Sequence, residues 1–199
     1  DQMRSGVKYF VEHKHVSHLC VMYQDTDFGR DVLAGIQDEA KALGLTIVAT
    51  TAHRPTDTDF SSNLTKLRDA GCDWVGVGTI VRDTIGIISR ARTIGWKVPF
   101  VGQVASYDTS IATAPGGVGE GFYAMGPSIY AYPDDTRPAV KAFFADYKLG
   151  YDMEPNFLGE TGYSAAQMVL MGLKNAGKDL TTESLIKGLE AIHQYTDIF

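Results

Sequence analysis

Cysteine is scarce: Cys20 and Cys72 are the only two in a chain of 199 residues, too few for a disulfide scaffold. Each sits in or beside an apolar stretch. Two buried free thiols are the first reading, and a single bridge is the alternative. Lys and Arg form no cluster, and the formal net charge is -6. Both facts argue against a nucleic-acid partner, because neutralising phosphates takes grouped cations. No apolar run is long enough to span a bilayer. His13, His15, His18, His53 and His193 are scattered and read as surface residues rather than ligands or bases. Neither GxSxG nor HExxH occurs, and no nucleophile is paired with a base at a recognisable spacing. Neither a cofactor nor a metal is expected. The chain starts at Asp1 and stops on the apolar "TDIF", which reads as a piece of a longer protein. The lack of a secretion signal therefore says nothing about compartment.

What is present is the composition of an ordinary globular protein, 44% hydrophobic and 21% charged. The hydrophobic period switches between two and roughly 3.6. "SGVKYFVEHK" puts Val7, Phe10 and Val11 on one helical face. "SHLCVMY" reads as a buried strand. "RDVLAGIQDEAKALG" follows as a helix with Val32, Leu33, Ile36, Ala40 and Leu43 inward and Gly44 as its left-handed stop. "LTIVATT", "DWVGVGT" and "KVPFVGQ" continue as strands. Between them lie two helices. One has Thr58 or Asp59 as N-cap and Gly71 as stop; the other has Asp83 as N-cap and Gly95 as stop. The triplet "NLT" at Asn63 falls inside the first of these and reads as chance rather than as a glycosylation site. Residues 17 to 103 thus predict an α/β fold, a doubly wound parallel sheet of Rossmann-like type.

After Gln103 the rhythm changes. "VASYDTSIATAPGGVGEG" is loop-rich with one helical turn near Asp108, and "FYAMGPS" reads as another strand. Extra C-terminal helices follow. The first has Pro138 near its start, Val140, Phe143, Phe144 and Tyr147 on one face, and Gly150 as stop. The second ends at Gly177, and the third is capped by Thr181 or Thr182. Helices with no strands between them cannot extend the sheet, so they need something else to cover.

In open parallel sheets ligands bind outside the carboxyl ends of the strands. Functional residues should therefore come from loops 24–29, 51–58, 79–83 and 103–108. "DTDFGRDVLAGI" opens like a calcium loop, but Phe28 and Gly29 stand where oxygen ligands belong and Ile36 occupies the place of the bidentate Glu. A single glycine beside two negative charges, which would repel a pyrophosphate, argues against a phosphate cradle. A cleft wall remains. Asp25 and Asp27 are expected to serve the start of the next helix. Phe28, a large aromatic in a polar turn, has no evident core role; ligand contact is the first reading, and packing against a neighbouring loop is the alternative.

At this point the series "VMYQDTDFGRDVLAGIQDEAKALG", "DFSSNLTKLRDAGCDWVGVGT" and "ISRARTIGWKVPFVG" resembles the second lobe of type I periplasmic solute-binding proteins. The branched-chain amino acid/amide-type receptors of ABC importers are the closest group. The later "AVKAFFADYKLGYDMEPNFLGETGYSAAQMVLMGLKNAGKDLTTESLIKGLE" is similar to the segment by which that family returns to its first lobe. The resemblance implies that residues 14–119 form the second ligand-binding lobe and 121–199 the return segment of an incomplete first lobe. Apolar residues such as Phe143, Phe144 and Leu170 would then need another route to burial, and self-association of the chain is expected.

The resemblance also implies a site. Phe28 takes the place of the usual Tyr. Thr79, Val81, Arg82 and Asp83 follow the third strand; Gln103, Val104 and Ala105 follow the fourth. Phe157, and with less support Tyr163, come from the return segment. Arg82 suits a carboxylate, but pairing with Asp83 or pointing to solvent accounts for it as well. The stretch after the fourth strand lacks the family's acid, which favours an organic acid, aromatic carboxylate or amide over a plain amino acid. The implied partners are a small-molecule solute and the membrane permease of an ABC importer, in a periplasmic or extracytoplasmic setting, with no catalysis. The rivals are a ligand-sensing domain of a regulator with the same fold, which a neighbouring helix-turn-helix would reveal, and an enzyme, which turnover in a substrate screen would reveal.

Overall fold

Short apolar runs linked by amphipathic helices assemble as the sequence pattern requires. The computed structural model describes residues 1–199 as two compact units, Asp1–Pro127 and Ser128–Phe199. The first unit runs α1 (Gln2–Lys14), β1 (Leu19–Gln24), α2 (Asp27–Ala42), β2 (Ile47–His53), α3 (Ser61–Asp69), β3 (Trp74–Gly78), α4 (Val81–Thr93), β4 (Phe100–Gly102), α5 (Thr109–Ala112) and β5 (Phe122–Ala124). All four strand pairings are parallel, and the order is β2-β1-β3-β4-β5. The fold is the expected doubly wound α/β sheet.

Period-two alternation splits the core into two layers. Leu19, Val21, Trp74 and Val101 face α1 and α2, meeting Met3, Val7, Phe10, Val32, Ile36 and Ala40. Cys20, Met22, Val75, Val77 and Phe100 face α3 and α4, meeting Phe60, Leu64, Leu67, Ile87 and Ile88. The helices α2, α3 and α4 are followed by Gly44, Gly71 and Gly95 with φ of 71°, 77° and 71°, the left-handed stops that the sequence proposed.

The first reading of the cysteines is overturned. Cys20 and Cys72 form a disulfide, with Cα atoms 5.8 Å apart and a sequence separation of 52. Parallel pairing of β1 with β3 brings Cys72, two residues ahead of β3, alongside the start of β1, a proximity invisible to local pattern. The reading of every histidine as a surface group also fails at one position. His53 ends β2 at 3% exposure and packs edge-on against Phe60.

Several helix ends differ from expectation. The N-cap of α2 is Thr26, whose hydroxyl accepts from Gly29 N at 3.2 Å, not Asp25 or Asp27. α4 begins at Val81 with Ile80 as N-cap, so Asp83 lies within the first turn rather than at the cap. Ahead of α3, Asp59 accepts from Ser61 N at 2.9 Å although the N-cap position itself is Phe60. Asn63 lies in α3 as expected and donates to Ala52 O at 2.9 Å.

The second unit contains α6 (Pro138–Tyr151), α7 (Phe157–Ala176) and α8 (Thr182–Glu190). α6 passes through Gly150 and ends on Asp152 in the left-handed region, φ 53°. Thr181 caps α8 in a reciprocal capping box with Ser184. Phe143 and Phe144 bury themselves inside this unit with Ala131 and Val140, against Tyr147, Tyr163, Ile198 and Phe199. Leu170 does not, and stays 49% exposed.

Candidate functional site

Parallel pairing sends all the strands' carboxyl ends to one rim. The chain steps from β1 outward to β2, then crosses back to β3 on β1's other side. The strand order therefore reverses between β1 and β3, the topological switch point where a crevice opens in this class of sheet. Loops 24–29 and 79–83 flank that point, with 51–58 and 103–108 to either side.

Beneath the rim lies a buried polar network centred on Asp83, which is 1% exposed. Its Oδ2 accepts from Gln24 Nε2 at 3.1 Å and from Thr79 Oγ1 at 3.0 Å. Its Oδ1 accepts from Arg82 Nε at 2.7 Å, while Arg82 also donates to Pro55 O at 2.7 Å. His53 Nδ1 stands 3.9 Å from Asp83 Oδ2. Gln103, 2% exposed, donates to Thr79 O at 3.1 Å and accepts from Ala105 N at 2.6 Å. Val104 N donates to Gln2 Oε1 at 3.0 Å. One carboxylate thus ties the end of β1 to the start of α4, and the loop after β4 is tied to Thr79. His53 Nε2 is buried without a partner, but the bonds to Asp83 and Gln103 are made, and buried bonds of this kind fix the geometry of the rim.

The turn after β1 is equally constrained. Asp25 N donates to His53 O at 2.7 Å, joining it to the end of β2. Gly29 is required because a Cβ there would stand 1.9 Å from Gln24 O. Asp25 and Asp27 share Arg30, the latter pair at 3.0 Å. The hydrogen bond to Asp27 raises the Arg30 pKa above its usual value. In the neighbouring loop, the Arg54 backbone N–H and guanidinium hold the Asp57 carboxyl below the usual carboxylate range.

The structure brings eight of the residues proposed from sequence to this rim, in two tiers. Thr79, Asp83 and Gln103 are buried and serve the network. Phe28 is 36% exposed in the first turn of α2; Val81, Val104 and Ala105 are half-buried, and Arg82 extends an exposed head. Arg82 takes the pairing with Asp83 that the sequence left open. Phe157 is in the second unit, 4% exposed and stacked on Tyr130 at 6.3 Å. Tyr163 packs against Phe143 at 4.9 Å and Phe199 at 5.8 Å, the helix-packing role. A concavity of about 760 Å³ in that unit is lined by Phe143, Tyr147, Tyr151 and Tyr163. Sequence reasoning missed Gln24, His53 and Ile80. Ile80 is 40% exposed two residues after β3, at the N-cap of α4. Its signal was an apolar residue next to a strand end with no helical face to serve. No group of three or more His, Cys, Asp or Glu is arranged to hold a metal ion.

This arrangement suits binding without chemistry: the ionisable groups at the rim are engaged by ion pairs or hydrogen bonds, and Phe28 and Ile80 stand partly exposed among them. A family model described as "Periplasmic binding protein" matches residues 1–199. The chain belongs to the periplasmic binding protein family. Among this family's members, "Leu/Ile/Val-binding protein homolog 8" of Brucella abortus is 26% identical over 178 residues, covering 86% of this chain and 43% of that protein. "Leu/Ile/Val/Thr-binding protein" of Salmonella typhimurium is 23% identical over 188 residues, covering 94% of this chain and 50% of that protein. A solved "Fatty acid ABC transporter substrate-binding protein from Thermomonospora curvata" superposes with a TM-score of 0.84 at 26% identity, covering 96% of this chain and 50% of that one. The chain spans about half the length of these relatives.

Proposed function

We propose that the chain is the ligand-binding part of an extracytoplasmic solute receptor of an ABC importer. It captures a small organic acid, amide or amino acid by closure of two lobes and delivers it to a membrane permease. In this reading residues 14–119 are the second ligand-binding lobe and 121–199 the return segment of the first. Closure excludes water, and the solute selects the closed state through contacts to both lobes. Phe28, Val81, Arg82, Val104 and Ala105 are the ligand-facing tier. Thr79, Asp83 and Gln103 hold them from beneath, and Phe157 contributes from the return segment.

The observation that carries the reading is the rigid network under the switch point, which presents an exposed aromatic at the mouth of a parallel sheet. The relatives' names as binding proteins support it. The disulfide supports an oxidising compartment, as the periplasm is. The exposed Leu149, Leu158 and Leu170 make self-association of the isolated chain an expected outcome.

The test is a calorimetric or thermal-shift screen of organic acids, amides and amino acids on the full-length protein. Phe28→Ala should weaken the best hit about tenfold or more, as expected for loss of a buried aromatic contact. An unchanged affinity would remove this site assignment.

A further inference from the structure

We infer that His53 is a positioning residue: with its proton on Nδ1, it holds the turn that sets the Arg82 guanidinium. The inference rests on the solute-binding reading above, in which Arg82 faces the ligand, and deepens it.

The surroundings of the ring choose the tautomer. His53 Nδ1 lies 3.1 Å from Arg54 O and 3.9 Å from Asp83 Oδ2. Both neighbours are acceptors, so Nδ1 carries the proton. Arg54 O receives it, because Asp83 Oδ2 is beyond hydrogen-bond reach and already accepts from Gln24 and Thr79. Nε2 is buried and has no partner. A second proton there would add a charge and a buried donor with nothing to accept it. The ring is therefore a donor at Nδ1 and bare at Nε2.

The bond from His53 reaches Arg82 in two steps. Arg54 O also accepts from Asp57 N at 3.0 Å, closing a β-turn with Pro55 at its second position. Arg54 N donates back to Asp57 Oδ2 at 2.8 Å, and the Pro55 ring locks its own φ, so the turn is stiff. Pro55 O then accepts from Arg82 Nη2 at 2.7 Å. On the other side Asp83 Oδ1 accepts from Arg82 Nε at 2.7 Å and stands 2.6 Å from Nη2. The guanidinium is thus held through Nε and Nη2, which leaves Nη1 as the unengaged donor of a side chain that is 58% exposed. An acceptor oxygen of the solute is what Nη1 is placed to meet. Asp83 is one support of this geometry, and His53 secures the other.

The test uses the full-length protein with 4-methylpentanoate, 4-methylpentanamide and leucine, an acid, an amide and an amino acid that share an acceptor oxygen. His53→Asn puts an amide N–H where Nδ1 stands; His53→Gln puts it where Nε2 stands. In calorimetry His53→Gln should weaken the tightest of the three probes about fivefold, the worth of one hydrogen bond, and His53→Asn should restore most of that loss. In an Arg82→Gln background His53→Gln should cost no further affinity, a coupling that a residue serving only the fold would not show. Nitrogen NMR of the unaltered protein needs no variant to fold. His53 should show a protonated Nδ1 and a bare Nε2, and Arg82 separate Nη1 and Nη2 resonances, as for a guanidinium whose rotation is blocked. A proton on Nε2 overturns the inference. So do equal losses in the Asn and Gln variants, or a His53→Gln loss that persists undiminished without Arg82. If none of the three probes binds, the solute-binding reading fails for these classes and the Arg82 resonances decide the inference. They should merge in His53→Gln and stay apart in His53→Asn, and resonances that stay apart in both overturn it.

Discussion

Replacing Asp83 with Ala isolates the buried network from the ligand question. The substitution removes the acceptor for Gln24 Nε2 at 3.1 Å, Thr79 Oγ1 at 3.0 Å and Arg82 Nε at 2.7 Å. Gln24 and Thr79 are 7% and 0% exposed, so neither donor can turn to water. A buried donor left unpaired costs roughly 1–3 kcal/mol, so two of them cost about 2–6. The Arg82 side chain is 58% exposed and can be resolvated, so its loss adds little. The expected destabilisation is about 4 kcal/mol in urea unfolding, with the m-value unchanged. Thr79→Val supplies the internal check. In the Asp83→Ala background it removes one orphaned donor, so the double variant should be about 1–2 kcal/mol more stable than the sum of the single losses predicts. A loss for Asp83→Ala below about 1 kcal/mol, or strict additivity, would refute the claim that this network is dry and obligate.

Two further outcomes follow from groups elsewhere in the chain. Joint Cys20→Ala and Cys72→Ala substitution frees a loop of 52 residues and should cost about 4 kcal/mol on the chain-entropy account. For a chain of this size that is a Tm drop of roughly 8–16 °C by calorimetry, and a drop below about 3 °C would contradict it. Glu160, 3% exposed, has its pKa pushed up from 4.5 to about 7 by burial, against the opposing effect of Ala131 N donating to its Oε2 at 3.1 Å. The folded state then binds the proton more tightly than the unfolded state. Stability should therefore fall as pH rises from about 4.5 to about 7, by at most about 3 kcal/mol. Glu160→Gln should flatten that window in pH-dependent melting, and an unaltered slope would assign the effect to other groups.

Local pattern made the sheet legible. The near-continuous burial of β1, amphipathic stripes in α2 and α4, and glycine stops at 44, 71 and 95 are all statements about neighbours in sequence. The misses share the opposite character. The bridge between Cys20 and Cys72 depends on β1 pairing with β3, and the burial of His53 depends on Phe60 folding over the end of β2. Capping sits between the two cases. Asp25, Thr26 and Asp27 can each serve an N-cap, and the choice of Thr26 releases both carboxylates for Arg30. The strand pattern could place the rim but could not show which of its charges were already engaged.

The two tiers at the rim have a consequence for how specificity can change. Asp83, Thr79 and Gln103 are buried and satisfied by one another or by fixed backbone groups, so altering them should disturb geometry and stability together. Phe28 and Ile80 stand above that network and are both partly exposed. Substitutions there remove apolar contact surface without orphaning a buried polar atom, and exposed positions cost little stability. On the proposed function, solute preference and scaffold integrity are thus separable in this unit. Asp83, although it is a carboxylate at the rim, belongs on the scaffold side, because a carboxylate with both oxygens engaged would have to give up a buried donor before it could hold a ligand.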